Sequence, residues 1–365
     1  MSKNKITKLV GALACAPSLL VGCNNKPKPA PSQFEIMLNN ARKIVIEHTA
    51  TGDYEQATKE KILSQLKAKT IQGIVDEKNE TYYFTDLNYK DGDRAKWQCG
   101  THVTRALQIA VVGAKRNDNE LLEIAHKLWS YYICNDFHNE NWWWEAIGIP
   151  RDSSDLCLFV YNLSTPKEQK RSLDIIHHGS FRFTKATREA TGCNLYDYAH
   201  ITLKSAILAQ DNEELNTVSQ YLLPGIDRDK EEGFQSDGAF FQHGRMVQSG
   251  SYGRQGMIRL AKIAATFADT NVDAFPPEKL EIILNSIVNG IRYLTHKGSF
   301  NYSVLGRTYS RPTALRIDGG TTDLGNLDDL SCFLSLKNLP YHDGLVELLD
   351  NLKAPVFIER VSLAN

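Results

Sequence analysis

The sequence predicts an all-α domain of antiparallel helix hairpins, and three observations carry that prediction. Apolar residues recur mainly at helical spacing from Phe34 onward. The joints between these stripes, such as 115–119 and 210–213, are short and polar or Gly-bearing, which makes consecutive helices antiparallel neighbours. Alternating runs of strand type are scarce, with 81–84 a short candidate.

In chain order, residues 1–22 read as a secretion signal. Lys3, Lys5 and Lys8 form a basic start, and the apolar run 9–21, interrupted by Pro17, is short for a bilayer span and is followed at once by polar residues. The run ends in Leu20-Val21-Gly22-Cys23, which resembles the lipobox of bacterial lipoproteins and implies a lipidated Cys23, membrane attachment and a cell-envelope location. The plainer reading is a chance cysteine beside an ordinary cleavage site. Residues 23–33 then form a tether stiffened by alternating prolines. The helical domain is expected over 34–365.

Within it, Ile36, Met37, Ala41, Ile44 and Val45 share one helix stripe, and similar stripes run over 103–112, 121–132, 201–209, 257–267 and 280–294. The exception is 233–256, where six glycines (Gly233, Gly238, Gly244, Gly250, Gly253, Gly256) argue for a loop, since glycine inside a helix costs about 1 kcal/mol against alanine. Such loops tend to carry function, and this one holds Asp237, Gln242, His243, Arg245 and Tyr252.

Bulk properties exclude some classes. With 42 Lys plus Arg against 43 Asp plus Glu there is no broad positive field for nucleic acid. Without Cys15 and Cys23, five cysteines remain (Cys99, Cys134, Cys157, Cys193, Cys332), odd in number and with no CxxC spacing, so neither a zinc site nor a full disulfide framework is indicated.

Four segments carry candidate chemistry. Asn141-Trp142-Trp143-Trp144-Glu145 cannot place three indoles on one buried stripe, because consecutive helix residues step by about 100°. At least one indole is expected outside the core, as a platform for sugar rings; core packing is the alternative. Asn194, in Thr191-Gly192-Cys193-Asn194, reads most simply as a turn or N-cap residue. His243 and Tyr252 lie nine residues apart in the glycine-rich stretch. Gly306-Arg307-Thr308-Tyr309-Ser310-Arg311 supplies two arginines that either meet solvent or clamp an anion.

Taken together, NWW, TGxN, QHG with a YG nine residues after its histidine, and GRxxSR resemble, in order and spacing, the helical domain of polysaccharide lyase family eight, the hyaluronate, chondroitin AC and xanthan lyases. The resemblance runs from about Asn141 to Arg311. It implies an incomplete (α/α) toroid and cleavage of an acidic, uronic-acid-containing polysaccharide by β-elimination. Asn194 then neutralises the uronate carboxylate, Tyr252 acts as base and acid, His243, Arg307 and Arg311 assist, and Asn141, Trp142 and Trp143 orient the sugar chain, with Gln242 a further substrate-binding candidate. Trp144 and Glu145 depart from the family's usual wording. Elimination requires the C-5 proton to leave beside a carboxylate whose charge opposes the step, so an amide donor stabilises the developing charge. A phenol ionises near ~10 and is a base only where neighbours favour its anion. Giving base duty to His243 is equally open at this level. Neither route requires a metal or organic cofactor.

Family members resembling this chain continue into β-sandwich domains, which are not expected before Asn365. A truncated lyase, or one half of a split enzyme partnered by a separate β-sandwich subunit, is therefore implied. Two other functions remain: a non-catalytic glycan-binding lipoprotein, and a glycoside hydrolase using Asp237 with a second carboxylate.

Overall fold

In a computed structural model, residues 30–73, 78–296, 299–306 and 327–353 are described. The chain divides at Pro31, and Ser32–Asn365 forms one compact unit. Helix α1 (Gln33–His48) is started by the Ser32 side chain, which accepts from the Glu35 amide. After the short α2 (Lys59–Ser64) comes a hairpin of β1 (Leu66–Gln72) and β2 (Lys78–Phe84), paired antiparallel from Leu66 opposite Phe84 to Gln72 opposite Lys78. The strand expected at 81–84 lies within β2. Strand β1 has no buried residue, so no apolar alternation marks it in the sequence.

The hairpins follow. α3 (Gln98–Arg116) packs on α4 (Asn119–Cys134), α5 (Ile149–Val160) on α6 (Pro166–His177), and, after the single turn α7 (Lys185–Arg188), α8 (Gly192–Ala209) packs on α9 (Asn212–Leu222). Two of the joints use one device. Asn117 and Gln210 adopt left-handed backbone (φ 54° and 53°), and the next residue, Asp118 or Asp211, caps the returning helix by accepting from two of its first amides. The segments Asn117-Asp118-Asn119-Glu120 and Gln210-Asp211-Asn212-Glu213 thus repeat both a sequence and a turn.

α5 touches α3 on one side and α8 on the other, α8 touches α10 (Arg254–Thr266), and α1 lies against all four. α4, α6 and α9 form the layer outside them. This double layer of hairpins is the incomplete α/α toroid. α8 is buried on nearly every side, including Asp197, His200 and Lys204, and Asn194 is one of its few partly exposed residues. The buried Lys204 is held by Asp155 of α5, and Asp197 by Arg259 of α10 at 2.7 Å, so ion pairs tie the inner helices together.

The stretch 233–256 corrects the loop expectation in part. β3 (Gly233–Phe234) and β4 (Phe240–Phe241) form a tight hairpin, a π-helical turn covers Ser249–Gly253, and Gly256 lies inside α10. Glycine at 256 serves packing rather than flexibility: a Cβ there would stand 2.7 Å from the Tyr196 ring of α8. The apolar stripe 280–294 is helical throughout, as α11 (Pro277–Ser286), a π turn (Ile287–Ile291) and α12 (Arg292–Leu294). The small hairpin of β5 (Thr295–His296) and β6 (Ser299–Phe300), a 3-10 helix (Leu327–Ser335) and α13 (His342–Lys353) complete the unit. Of the five described cysteines, all but Cys134 are buried. No described helix is long and apolar enough to cross a membrane.

Candidate active site

His243 follows β4, and Tyr252 sits on the π turn that opens α10. The β3–β4 hairpin and the Phe241–Val247 bridge fold the chain back so that the two rings meet edge to face, with centroids 4.9 Å apart and planes at 89°. His243 is exposed and holds φ 59°, a left-handed conformation that costs a non-glycine residue about 1–2 kcal/mol.

What holds it there is Glu232, a residue that sequence reasoning missed. Its carboxylate accepts from the Gly244 amide at 3.0 Å and from the Gln242 side-chain amide, bracketing His243 on both sides, and from the Thr191 hydroxyl at 2.6 Å. Thr191 is the N-cap of α8. Gln242 completes the clasp: its Oε1 accepts from the Cys193 amide at 2.8 Å. With 3% exposure and both ends of its amide engaged by protein, Gln242 serves the loop's position. Gly192 at φ 54° makes the approach feasible, since a Cβ would collide with Gln242 Oε1. The clasp joins the His243 loop to the turn that carries Asn194. Asn194 is the third residue of α8, not its cap, and among the described residues its side-chain amide makes no hydrogen bond. It stands at the helix end that favours negative charge.

Arg307 and Arg311 lie outside the described residues, as does Cys23. The backbone leading to Arg307 is described: a Cβ on Gly250 would meet Val304 O at 3.1 Å, and one on Gly306 would collide with the buried Gln248 side chain. Gln248 in turn accepts from the Ser251 hydroxyl at 2.7 Å, so residues 304–306 seat directly on the turn that presents Tyr252.

The aromatic segment diverges as its spacing requires. Trp142 is 54% exposed, while Trp143 and Trp144 pack edge to face on Gly148, where a Cβ would stand 2.7 Å from the Trp143 ring. Asn141 anchors the segment, donating to Arg94 O at 2.7 Å and accepting from the Trp143 amide at 3.2 Å. Arg151 of α5 lies over the Trp143 ring at 5.5 Å. Burial works against the charge on Arg151, but the carboxylates of Asp152, Asp197 and Asp155 outweigh it and hold the pKa above the usual guanidinium value. Asp197 is one turn along α8 from Asn194, so the patch and the clasp share a charged floor. Asp237 accepts from the Ala239 amide at 2.9 Å within the β3–β4 turn. Among the described residues no group of three His, Cys, Asp or Glu is arranged to hold a metal ion.

The model of the N-terminal α-helical domain of polysaccharide lyase family 8 matches residues 42–333. The chain belongs to that family. It is 26% identical over 282 residues to the chondroitinase-AC of Pedobacter heparinus, covering 73% of this chain and 39% of that protein. It is 25% identical over 227 residues to the xanthan lyase of Bacillus sp. strain GL1, covering 58% of this chain and 23% of that one. A chondroitinase AC lyase solved with oligosaccharides superimposes on this family 8 chain with TM-score 0.71 at 19% identity, over 89% of this chain and 45% of that one. The chondroitin AC lyase of Streptomyces coelicolor A3 does so with TM-score 0.63 at 15% identity, over 88% and 49%. These superpositions establish the toroid fold of the family 8 chain, which spans less than half the length of each of these relatives.

Proposed function

We propose that this chain is a polysaccharide lyase that splits a uronic-acid-containing polysaccharide of the chondroitin or hyaluronan type by β-elimination. The observation that carries the reading is the pairing of His243 with Tyr252, with Glu232 and Gln242 tying the His243 loop to the α8 turn that carries Asn194. Asn194 donates to the substrate carboxylate and, with the α8 N-terminus, stabilises the negative charge that grows there as the C-5 proton leaves. Tyr252 takes that proton and delivers one to the departing C-4 oxygen, acting as base and then acid. His243, in contact with the phenol ring, and Arg307, next in the chain after the segment seated on the Tyr252 turn, assist that transfer. Trp142 offers its exposed face to a sugar ring. Arg311 joins Arg307 in binding the anionic chain.

The test is incubation of the full mature chain with chondroitin sulfate, hyaluronan and xanthan, following ultraviolet absorbance of the unsaturated uronate. Tyr252→Phe is expected to reduce the rate by about 10²-fold or more, the usual contribution of general acid–base catalysis. New reducing ends without that absorbance would assign hydrolysis instead. Binding without cleavage would favour the glycan-binding reading, which the exposed Trp142 supports by itself. We also propose that Cys23 is lipidated and anchors the chain in the cell envelope, a reading supported by the basic start, the apolar run and Leu20-Val21-Gly22-Cys23. Detergent-phase partitioning that is unchanged in Cys23→Ala would refute it.

A further inference from the structure

Away from this site, three distant segments bring a thiol, an imidazole, a carboxylate and an ammonium into one line. Cys332 Sγ lies 3.3 Å from His48 Nε2. His48 Nδ1 lies 2.7 Å from Asp329 Oδ1, and Lys262 Nζ lies 2.7 Å from Asp329 Oδ2, close in distance though not aligned as a hydrogen bond. His48 is the last residue of α1, Lys262 belongs to α10, and Asp329 and Cys332 to the 3-10 helix Leu327–Ser335.

The proton count follows from the geometry. A carboxylate only accepts, so Asp329 fixes the hydrogen of His48 on Nδ1. One proton is then left between His48 Nε2 and Cys332 Sγ, and the imidazole is positioned to remove it from the thiol. Hydrogen bonds to Asp329 and then to Cys332 raise His48 to about 10, against burial, and the C-terminal end of α1 favours the same cation. The neighbouring charges are otherwise engaged. On α10, Arg259 pairs with Asp197, and on α1, Lys43 pairs with Glu47. On α13, His342 pairs with Asp343, Glu347 with Arg292, and Lys353 with Asp350. The exposed Asp328 is a neighbour of Asp329 in sequence only, with no ion pair among the described residues.

We propose that Cys332 is an oxidative modification site: a thiol activated by His48, Asp329 and Lys262 that hydrogen peroxide converts to a sulfenic acid ahead of the buried Cys99, Cys157 and Cys193. The thiolate sulfur attacks one peroxide oxygen, the S–O bond forms as the O–O bond breaks, and the sulfur loses the two electrons that the peroxide gains. The departing hydroxide takes the proton held by His48 and leaves as water. Burial with the nearby Asp91 pushes Cys99 to about 11, burial pushes Cys157 to about 12, and burial with the nearby Asp197 raises Cys193 well above the ordinary thiol value. Cys332 itself is 7% exposed, but its partner His48 stands beside the exposed Glu47 and close to the exposed Ala50, so the cluster lies just under the surface. This site is independent of the elimination chemistry.

The experiment treats the full chain with hydrogen peroxide and a sulfenic-acid trap, and separately with iodoacetamide between about pH 6 and pH 8, reading each cysteine by mass spectrometry. Cys332 is expected to be trapped before Cys99, Cys157 and Cys193. Its alkylation should outpace theirs throughout that range. His48→Asn should slow the labelling of Cys332; because that variant also removes a buried partner, the wild-type order of labelling is decisive by itself. Preferential labelling of Cys99, Cys157 or Cys193, or an unreactive Cys332 in the folded chain, would each overturn the assignment.

Discussion

Replacing Glu232 by alanine tests how the site is held together. The carboxylate accepts three hydrogen bonds, from Thr191, Gln242 and Gly244. A bond to a charged acceptor contributes about 1.5–3 kcal/mol, and the lower end applies to this half-buried group. Against that stands the roughly 1–2 kcal/mol that the left-handed backbone of His243 costs. With Glu232 removed, the support on both sides of His243 is lost and the strain is not, so the loop relaxes and the competent geometry becomes a minority. At about 1.4 kcal/mol per factor of ten, the unopposed strain of roughly 1–2 kcal/mol lowers kcat/KM by about 5- to 30-fold. Glu232→Gln keeps one acceptor oxygen and should recover part of the rate. The assay is the initial rate of unsaturated-uronate formation, together with hydrogen exchange at the Gly244 amide, which should lose protection in Glu232→Ala. A variant that keeps wild-type kcat/KM and wild-type exchange at Gly244 would refute the clasp. A wild-type chain that makes no unsaturated product would instead sink the elimination reading and leave the exchange test standing.

Three further expectations follow from single contacts. Gly192→Ala puts a Cβ into Gln242 Oε1 at φ 54°; it should cost about 1–3 kcal/mol in denaturant unfolding, and an unchanged midpoint would show that the α8 turn tolerates a side chain. Trp142→Ala should leave stability within about 0.5 kcal/mol while weakening polysaccharide binding about 5- to 10-fold, read by titration; equal affinity would remove Trp142 from the binding surface. Glu168 is pushed up by burial but pulled further down, to about 2, by hydrogen bonds from His126, Ser130 and the Thr165 backbone. Its folded value lies below the ordinary 4.5, so its contribution is complete above 4.5 and fades as pH falls through about 2. Glu168→Gln should therefore be destabilised by about 2 kcal/mol at neutral pH, with the gap to wild type closing in acid; a gap that is independent of pH would contradict this.

The helices were legible because burial of one face imprints a 3.6-residue period on the chain. The stripes at 103–112, 121–132 and 257–267 fall on α3, α4 and α10. Joints were legible where the capping chemistry is local, as in the two Asn-or-Gln-then-Asp turns, and the repeat they form could have been found by comparing 117–120 with 210–213. Strand β1, exposed along its length, carried no such imprint. The π turns at Trp144–Gly148 and Ser249–Gly253 were not legible either, since the contacts made there, Trp144 against Gly100 and Gly253 against Phe240, join residues far apart in the helical pattern.

For the site, the sequence by itself determined the inventory: Asn194, His243, Tyr252 and the tryptophans, in an order that marks the family. Only the tertiary structure decided how they are arranged. It set the His243 ring against Tyr252, moved Asn194 from cap to third helical residue, gave Gln242 to the protein, and brought in Glu232, whose importance no spacing rule reveals. It also joined His48 to Cys332, 284 positions away. The reason is physical: periodicity and capping are short-range consequences of backbone geometry, whereas a carboxylate's partners are whatever the packed helices place within three ångströms of it, and that distance is set by contacts made far along the chain.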